Sequence, residues 1–337
     1  MRHTINLSIS QVTKSAREAE HRIRSAIYHT PLLPAAQASQ DTNSKVFFKA
    51  ENYQVTGSFK LRGATNKLRY LLEKKPSDQL QMITASSGNH GIACAFAARE
   101  AIERNALKQE FLIVLPTNVS PLKLDRIRSF GANVILYGDE TGEAELHARV
   151  LASENNYVYI SPYNDPEIIA GQATIGLEIL RDLAGEKVDN IFIAMGGGGL
   201  ISGVGSVLKQ LSSKTKIWGI AADNSDALAA SLKAGKVIDV EHLPTLADGV
   251  SGGMDHNSIT FSLAQKVVDE VVSCSEAEIA SAFRLLALRE HQIVEGSAAL
   301  ALAALYKVSD RVAKQNNVVL LCASNISDAT VLKLLVS

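Results

Sequence analysis

Short apolar runs alternate with stretches of helical periodicity along most of this 337-residue chain. Segments 111–115, 217–222 and 318–323 are apolar throughout. Strands of that kind need cover on both faces, which parallel sheets flanked by helices provide, so the pattern predicts an α/β fold. Further strands are expected over 81–86, 133–137 and 188–195. One helix is expected to start from Ser58 as its cap, with a buried stripe of Leu61, Ala64, Leu68 and Leu71. Others follow the turn at 86–91 as far as Arg99, run from Ser120 and Pro121 to a stop at Gly131, and cover 143–154 and 200–211. Ser275 with Glu278 makes a capping box ahead of a helix reaching about Gln292. Residues 81–160 read as one small α/β unit, and the strands from 188 onward build a second.

Composition closes off several function classes. Lys plus Arg total 34 against 35 for Asp plus Glu, a net charge of −1, so nucleic acid and anionic membrane have no electrostatic reason to bind. No apolar run approaches the ~20 residues that cross a bilayer. Segment 1–20 is polar and lacks the core of a secretory signal, and a cytoplasmic location is expected. Cys94, Cys274 and Cys322 are too few for a disulfide framework and lack metal-ligand spacing.

Three loops carry the chemistry. Lys60 stands in Gly57-Ser58-Phe59-Lys60-Leu61-Arg62-Gly63-Ala64, between two apolar side chains and two glycines that admit other backbone. A lysine desolvated in this way has a lowered pKa and a free amine able to form an imine. Gly196, Gly197, Gly198 and Gly199 follow a strand and open a helix, a place where backbone N–H groups and the helix dipole favour a phosphate. A dinucleotide fingerprint over the same glycines ends on Ser202, where close helix packing calls for glycine, although Asp223 stands where an acidic partner would. Ser86, Ser87, Gly88, Asn89, His90 and Gly91 form a third strand-to-helix turn, rich enough in donors to hold a carboxylate. Ser87 or Asn89 would also serve as a helix cap there. His90 by itself reads as a packing or capping residue, Cys322 as a buried core thiol and Glu295 as a helix-start carboxylate. Amine, phosphate cradle and carboxylate loop together describe pyridoxal 5′-phosphate with an amino acid substrate.

With these motifs the chain resembles the second fold family of pyridoxal-phosphate enzymes, the tryptophan synthase β-subunit type, and within it the serine/threonine dehydratases and serine racemase. The likeness runs from Thr30-Pro31-Leu32 to Asn325 and rests on 57–64, 86–91, Ala170-Gly171-Gln172, 196–199 and Ala247-Asp248-Gly249. Stretch 243–253 is similar to a branch that includes ectoine-utilisation ammonia-lyases. The resemblance implies two open, twisted, mainly parallel sheets flanked by helices. It puts the cofactor in a cleft between a discontinuous large domain (1–80 and 161–337) and a small one (81–160). Lys60 would carry the cofactor as a Schiff base and later act as base. Gly196 to Gly199 would hold the phosphate, Asn89 the pyridine hydroxyl, Phe59 would pack beside the ring, and Gly249 and Glu295 would complete the cofactor site. Cys322 would face the pyridine nitrogen as a neutral partner. Ser86, Ser87, Gly88, Asn89 and His90 would line the substrate carboxylate pocket.

The activity so implied is α,β-elimination from a β-hydroxy amino acid (L-threonine, L-serine or a 3-hydroxyaspartate-like compound) by a homodimeric ammonia-lyase. A racemase acting on serine or aspartate is the alternative, with Ser87 opposite Lys60. A non-catalytic protein binding this cofactor or NAD is the alternative of another class. No metal is expected, because Ala221 and Ala227 stand where cation-binding relatives have carboxylates and Asp223 and Asp226 are offset. Tyr163 replaces an asparagine of the racemase. The end of the chain at Ser337 leaves no carboxyl-terminal regulatory domain to expect.

Overall fold

The computed structural model describes residues 6–336 except 87, 120 and 140. The strands are β1 (Leu32–Pro34), β2 (Lys45–Ala50), β3 (Met82–Ala85), β4 (Leu112–Leu115), β5 (Asn133–Leu136), β6 (Val158–Tyr159), β7 (Asn190–Ala194), β8 (Lys216–Ala222), β9 (Glu270–Cys274) and β10 (Asn316–Leu321). The longer helices, in chain order with the short α2, are α1 (Ile9–Ile23), α2 (Ala36–Asp41), α3 (Lys60–Lys74), α4 (Asn89–Glu103), α5 (Pro121–Ser129), α6 (Thr141–Asn155), α7 (Pro166–Asp182), α8 (Gly199–Leu211), α9 (Ala227–Ala234), α10 (Ile259–Val267), α11 (Glu276–Arg289) and α12 (Gly296–Lys307).

Two sheets result, as the strand pattern predicts. One has six strands in the order β1-β2-β10-β7-β8-β9 and the other four in the order β5-β4-β3-β6. Every pairing is parallel except the short edge pair β1–β2. β7 is buried along its whole length, and β8 and β10 at all but their first residue, as sheets covered on both faces require. The main core lies over the six-stranded sheet, where α12 is buried from Gly296 to Leu305. A second core joins α3 and α4 to the four-stranded sheet. Among the described residues no helix is long and apolar enough to cross a membrane.

Most expected elements appear with small shifts of boundary, and the Ser275–Glu278 capping box is present at α11. That helix ends at Arg289, short of Gln292. Ser58 does not cap α3: the residue before the helix is Phe59, and Ser58 forms a β-bridge with Ala323 instead. The expected buried stripe of Leu61, Ala64, Leu68 and Leu71 is present. At α4 the cap position is Gly88, without a side-chain cap, so Asn89 is released for other partners.

The parallel strands all end toward one edge of their sheets. The order in which strands are added across the larger sheet reverses between β7 and β10, so the loops after these two strands separate and leave a crevice between them. Open α/β sheets bind ligands at such a point.

Candidate active site

Lys60 is the first residue of α3 and owes its place to β10. The Phe59 N–H donates to the Cys322 carbonyl at 3.1 Å, and the bridge of Ser58 to Ala323 extends this seam. Gly57, at φ +72°, makes the turn that brings the chain back, with Asn325 against its α-carbon. Lys60 as a residue keeps some contact with solvent, yet its amine is crowded by protein. Nζ donates to the Pro162 carbonyl at 2.9 Å and lies 5.2 Å from the Phe59 ring centre. Burial lowers its pKa from 10.5 to about 8, against the opposing influence of Cys322, Cys94 and Glu295. A large part of the amine is therefore unprotonated in mildly alkaline solution.

Behind Lys60 lies a buried charge cluster. Arg62 is fully buried; its guanidinium donates to Glu51 at 2.8 Å and to Glu178 at 2.7 and 2.8 Å. Lys49 Nζ reaches Glu178 at 2.6 Å. Burial alone would raise the Glu178 pKa, but Arg62 and Lys49 bring it down to about 2. This cluster joins β2, α3 and α7 and fixes the first turn of the lysine helix. Gly171 lets α7 come close, since a β-carbon there would lie 2.6 Å from the Arg62 carbonyl oxygen and the Gly63 α-carbon.

The four glycines follow β7 at the crevice. Gly198 adopts φ +83°, a conformation that disfavours other residues, and α8 starts at Gly199. Thr260 Oγ1 pins the loop from behind by donating to the Gly197 carbonyl at 2.6 Å. Tyr163 covers Gly197 and Gly199, and its hydroxyl accepts from the Asp255 N–H at 2.8 Å. Because Pro162 holds the lysine amine and Tyr163 lies on the glycines, one short loop connects the two motifs. The first N–H groups of α8 have no acceptor within their helix and provide an anion site. Ser202, where a dinucleotide fingerprint wants glycine, is buried and donates to the Thr260 carbonyl at 3.0 Å. The close helix approach falls instead at Gly203, where a β-carbon would lie 2.6 Å from the Ile169 carbonyl oxygen of α7.

Asn89, Glu295, Gly249 and Cys322 gather on the facing side. Asn89 Nδ2 donates to both Glu295 carboxylate oxygens, at 2.9 and 3.1 Å, and its Oδ1 accepts from Asn325 Nδ2 at 2.5 Å. Glu295 stands at the start of α12 as expected but makes no cap bond. Burial pushes its pKa from 4.5 up to about 7, despite the opposing Asn89 bond. Gly249 packs on it so closely that a β-carbon would lie 2.6 Å from Oε1. Burial also raises the Cys322 pKa well above 9, so this residue is a neutral thiol. Ser86 Oγ accepts from the Gly88 N–H at 3.3 Å, and Ser87 lies outside the described residues. His90 is buried, with Nε2 3.2 Å from the Ile160 carbonyl oxygen. Burial, and then Lys60, bring its pKa down to about 3, so the ring is neutral.

Signals for the supporting residues were present but weak. Arg62 is printed in the lysine motif, yet its partners Glu51 and Glu178 are distant in sequence. Among the described residues no three His, Cys, Asp or Glu side chains gather as a metal would require.

An aldehyde bearing a phosphate fits this donor set. The amine is enclosed and easily deprotonated, the glycine loop beside it can take the phosphate, and the thiol opposite carries no charge. The buried hydroxyls of Ser58 and Ser297 have no hydrogen-bond partner, and the latter borders Gly249 and lies two positions after Glu295.

Comparison with known proteins agrees. Residues 23–323 match the family described as pyridoxal-phosphate dependent enzyme. An L-threonine ammonia-lyase of Thermotoga maritima is 36% identical over 294 residues, covering 87% of this chain and 71% of that one. Processed threonine deaminase isoform 2 of Solanum lycopersicum superposes with a TM-score of 0.87 at 29% identity, covering 98% of this chain and 94% of that one. Maize serine racemase gives 0.85 at 28% identity, covering 95% of each. With the lysine, the glycine cradle and these matches in agreement, the chain belongs to the pyridoxal-phosphate dependent enzymes of the tryptophan synthase β-type fold, in the threonine dehydratase and serine racemase group.

Proposed function

We propose that this chain is an ammonia-lyase that removes water and then ammonia from a β-hydroxy amino acid, L-threonine or L-serine first among them. The observation that carries this reading is the Lys60 amine, held at the Pro162 carbonyl beside the glycine loop with its pKa lowered to about 8. When bound, pyridoxal phosphate supplies an electron sink for the bond to the substrate α-hydrogen. Lys60 holds the cofactor, then takes the proton from the substrate α-carbon at Nζ. Loss of the β-hydroxyl as water leaves an enamine, which hydrolyses to a 2-oxo acid and ammonia. Gly196 to Gly199 would hold the phosphate, and Phe59 would pack beside the ring. Asn89, steadied by Glu295 and Gly249, would meet the ring hydroxyl. Ser86, Ser87, Gly88, Asn89 and His90 would take the substrate carboxylate, His90 as a neutral group. The thiol of Cys322 would serve as partner of the ring nitrogen. As a neutral group it leaves that nitrogen without the charge an aspartate would sustain, which favours elimination over transamination.

The same reading treats 81–160 as a small domain that approaches a large one made of 1–80 and 161–337, in a cytoplasmic homodimer. A racemase is the second reading, favoured by the likeness to maize serine racemase and dependent on Ser87. Incubation with L-serine, L-threonine, threo-3-hydroxyaspartate and hydroxyectoine-derived amino acids, the last prompted by stretch 243–253, separates the readings. Release of 2-oxo acid and ammonia, abolished in Lys60→Ala, is expected. D-serine without pyruvate would establish the racemase, and silence across the panel would remove the lyase.

A further inference from the structure

We propose that Arg126, an exposed residue of α5 outside every motif, is a positioning residue for Asn89, acting through a one-directional hydrogen-bond chain from Arg126 to Asn325 to Asn89 to Glu295. Arg126 Nη1 donates to Asn325 Oδ1 at 2.6 Å. Asn325 Nδ2 donates to Asn89 Oδ1 at 2.5 Å, and Asn89 Nδ2 to Glu295 at 2.9 and 3.1 Å. The guanidinium end fixes the direction, because it only donates, and both Glu295 oxygens accept at the other end. Turning either asparagine over would set donor against donor or oxygen against oxygen, so the ends decide both amide orientations. A second Asn325 N–H donates to the Thr56 carbonyl at 3.0 Å, so both its donors are engaged.

The geometry at Asn89 has a further result. The two oxygens of one carboxylate are too close together for diverging N–H bonds to point at one each. A single N–H therefore serves both, and the other is free for a ligand. A chain of aligned amides polarises each member, and the cationic Arg126 end adds to this. The remaining Asn89 N–H becomes a stronger and better aimed donor than an isolated asparagine offers. The chain also joins four separate elements. Arg126 and Asn89 belong to helices packed on the four-stranded sheet, Asn325 follows β10 and touches the Gly57 turn, and Glu295 opens α12.

The inference rests on the reading of Asn89 as the residue that meets the cofactor. Its test is titration of the cofactor-free protein with pyridoxal phosphate, followed by absorbance, alongside thermal unfolding of the same preparations. Arg126→Ala should weaken cofactor binding about five-fold, the loss of roughly one good hydrogen bond, and leave the melting temperature of the cofactor-free protein unchanged. Arg126→Lys, which keeps one donor, should recover most of the affinity. Arg128→Ala, an exposed arginine on the same helix, should bind as the wild type does. Equal affinity in Arg126→Ala and wild type, or a parallel drop in melting temperature, overturns the proposal while leaving the reading of the site in place. Failure of the wild type to bind the cofactor through Lys60 overturns that reading and the inference with it.

Discussion

Lys60 and Glu295 are two buried ionisable groups held near neutrality by the same cause, loss of solvent. Their signs make different predictions. Capture of the cofactor needs the free amine, so its rate on the cofactor-free protein should rise with pH up to about 8 and then level off. Rapid-mixing absorbance measures this, and a flat profile from pH 6 to 9 would contradict it. Glu295 acts on stability. Its folded pKa lies above 4.5, so between pH 4.5 and about 7 the folded protein keeps a proton that the unfolded chain has lost. Its contribution therefore falls as pH rises through that window, by on the order of 3 kcal/mol. His90, with its folded pKa lowered to about 3, acts in the opposite direction from there to about 6.5. The difference between Glu295→Gln and wild type isolates the carboxylate: denaturation midpoints should show the variant gaining relative stability as pH rises from 5 to 7. At this scale the sequence was legible where chemistry is local. Lys60 and the glycines declare themselves through their neighbours. Ser58 misled because its hydroxyl looks like a cap, while a strand 265 positions away takes its backbone.

Elements are held by contacts that no local pattern records. α3, α7 and α8 pack through Gly63, Gly171 and Gly203, each of which meets backbone of a neighbouring helix. Gly171→Ala should lower stability by about 1–3 kcal/mol through overpacking. Arg62→Met should do more, about 3–5 kcal/mol, because it leaves Glu51 buried without a cation and Glu178 with Lys49 alone. Chemical denaturation of the cofactor-free variants measures both. An Arg62→Met protein as stable as wild type would show that the cluster serves something other than stability. The strands around the glycine loop and Cys322 were readable, since an apolar run between turn residues has few alternatives. β2 was not: Lys45-Val46-Phe47-Phe48-Lys49-Ala50 carries two lysines, and the second is buried because Glu178, Asp182 and the Thr30 carbonyl receive it.

Across the whole molecule, the helices of the four-stranded sheet meet the loops of the other sheet at several polar contacts. Lys123 reaches Asp248 at 3.4 Å, Arg149 reaches Asp255 at 3.1 Å and Asn89 reaches Glu295. A ligand seated among these groups binds the folded state alone. At one hundred times its dissociation constant, the cofactor should raise global stability by about 2.7 kcal/mol. Hydrogen exchange should then slow together at the start of α4, in the glycine loop and at the start of α12. Protection confined to the glycine loop would mean that the facing side takes no part. Two sheets could be counted from the sequence because strands and helices alternate. The crevice could not, because it depends on where strand order reverses, and order is a property of tertiary pairing.

The backbone seam between the segment before Lys60 and the end of β10 has a practical consequence. The Lys60 amine is mortised against the central strand, while Asn89 on the facing side comes from α4. A protein engineer could therefore exchange α6 for that of another member of the family and leave the seam that sets Lys60 in its original setting.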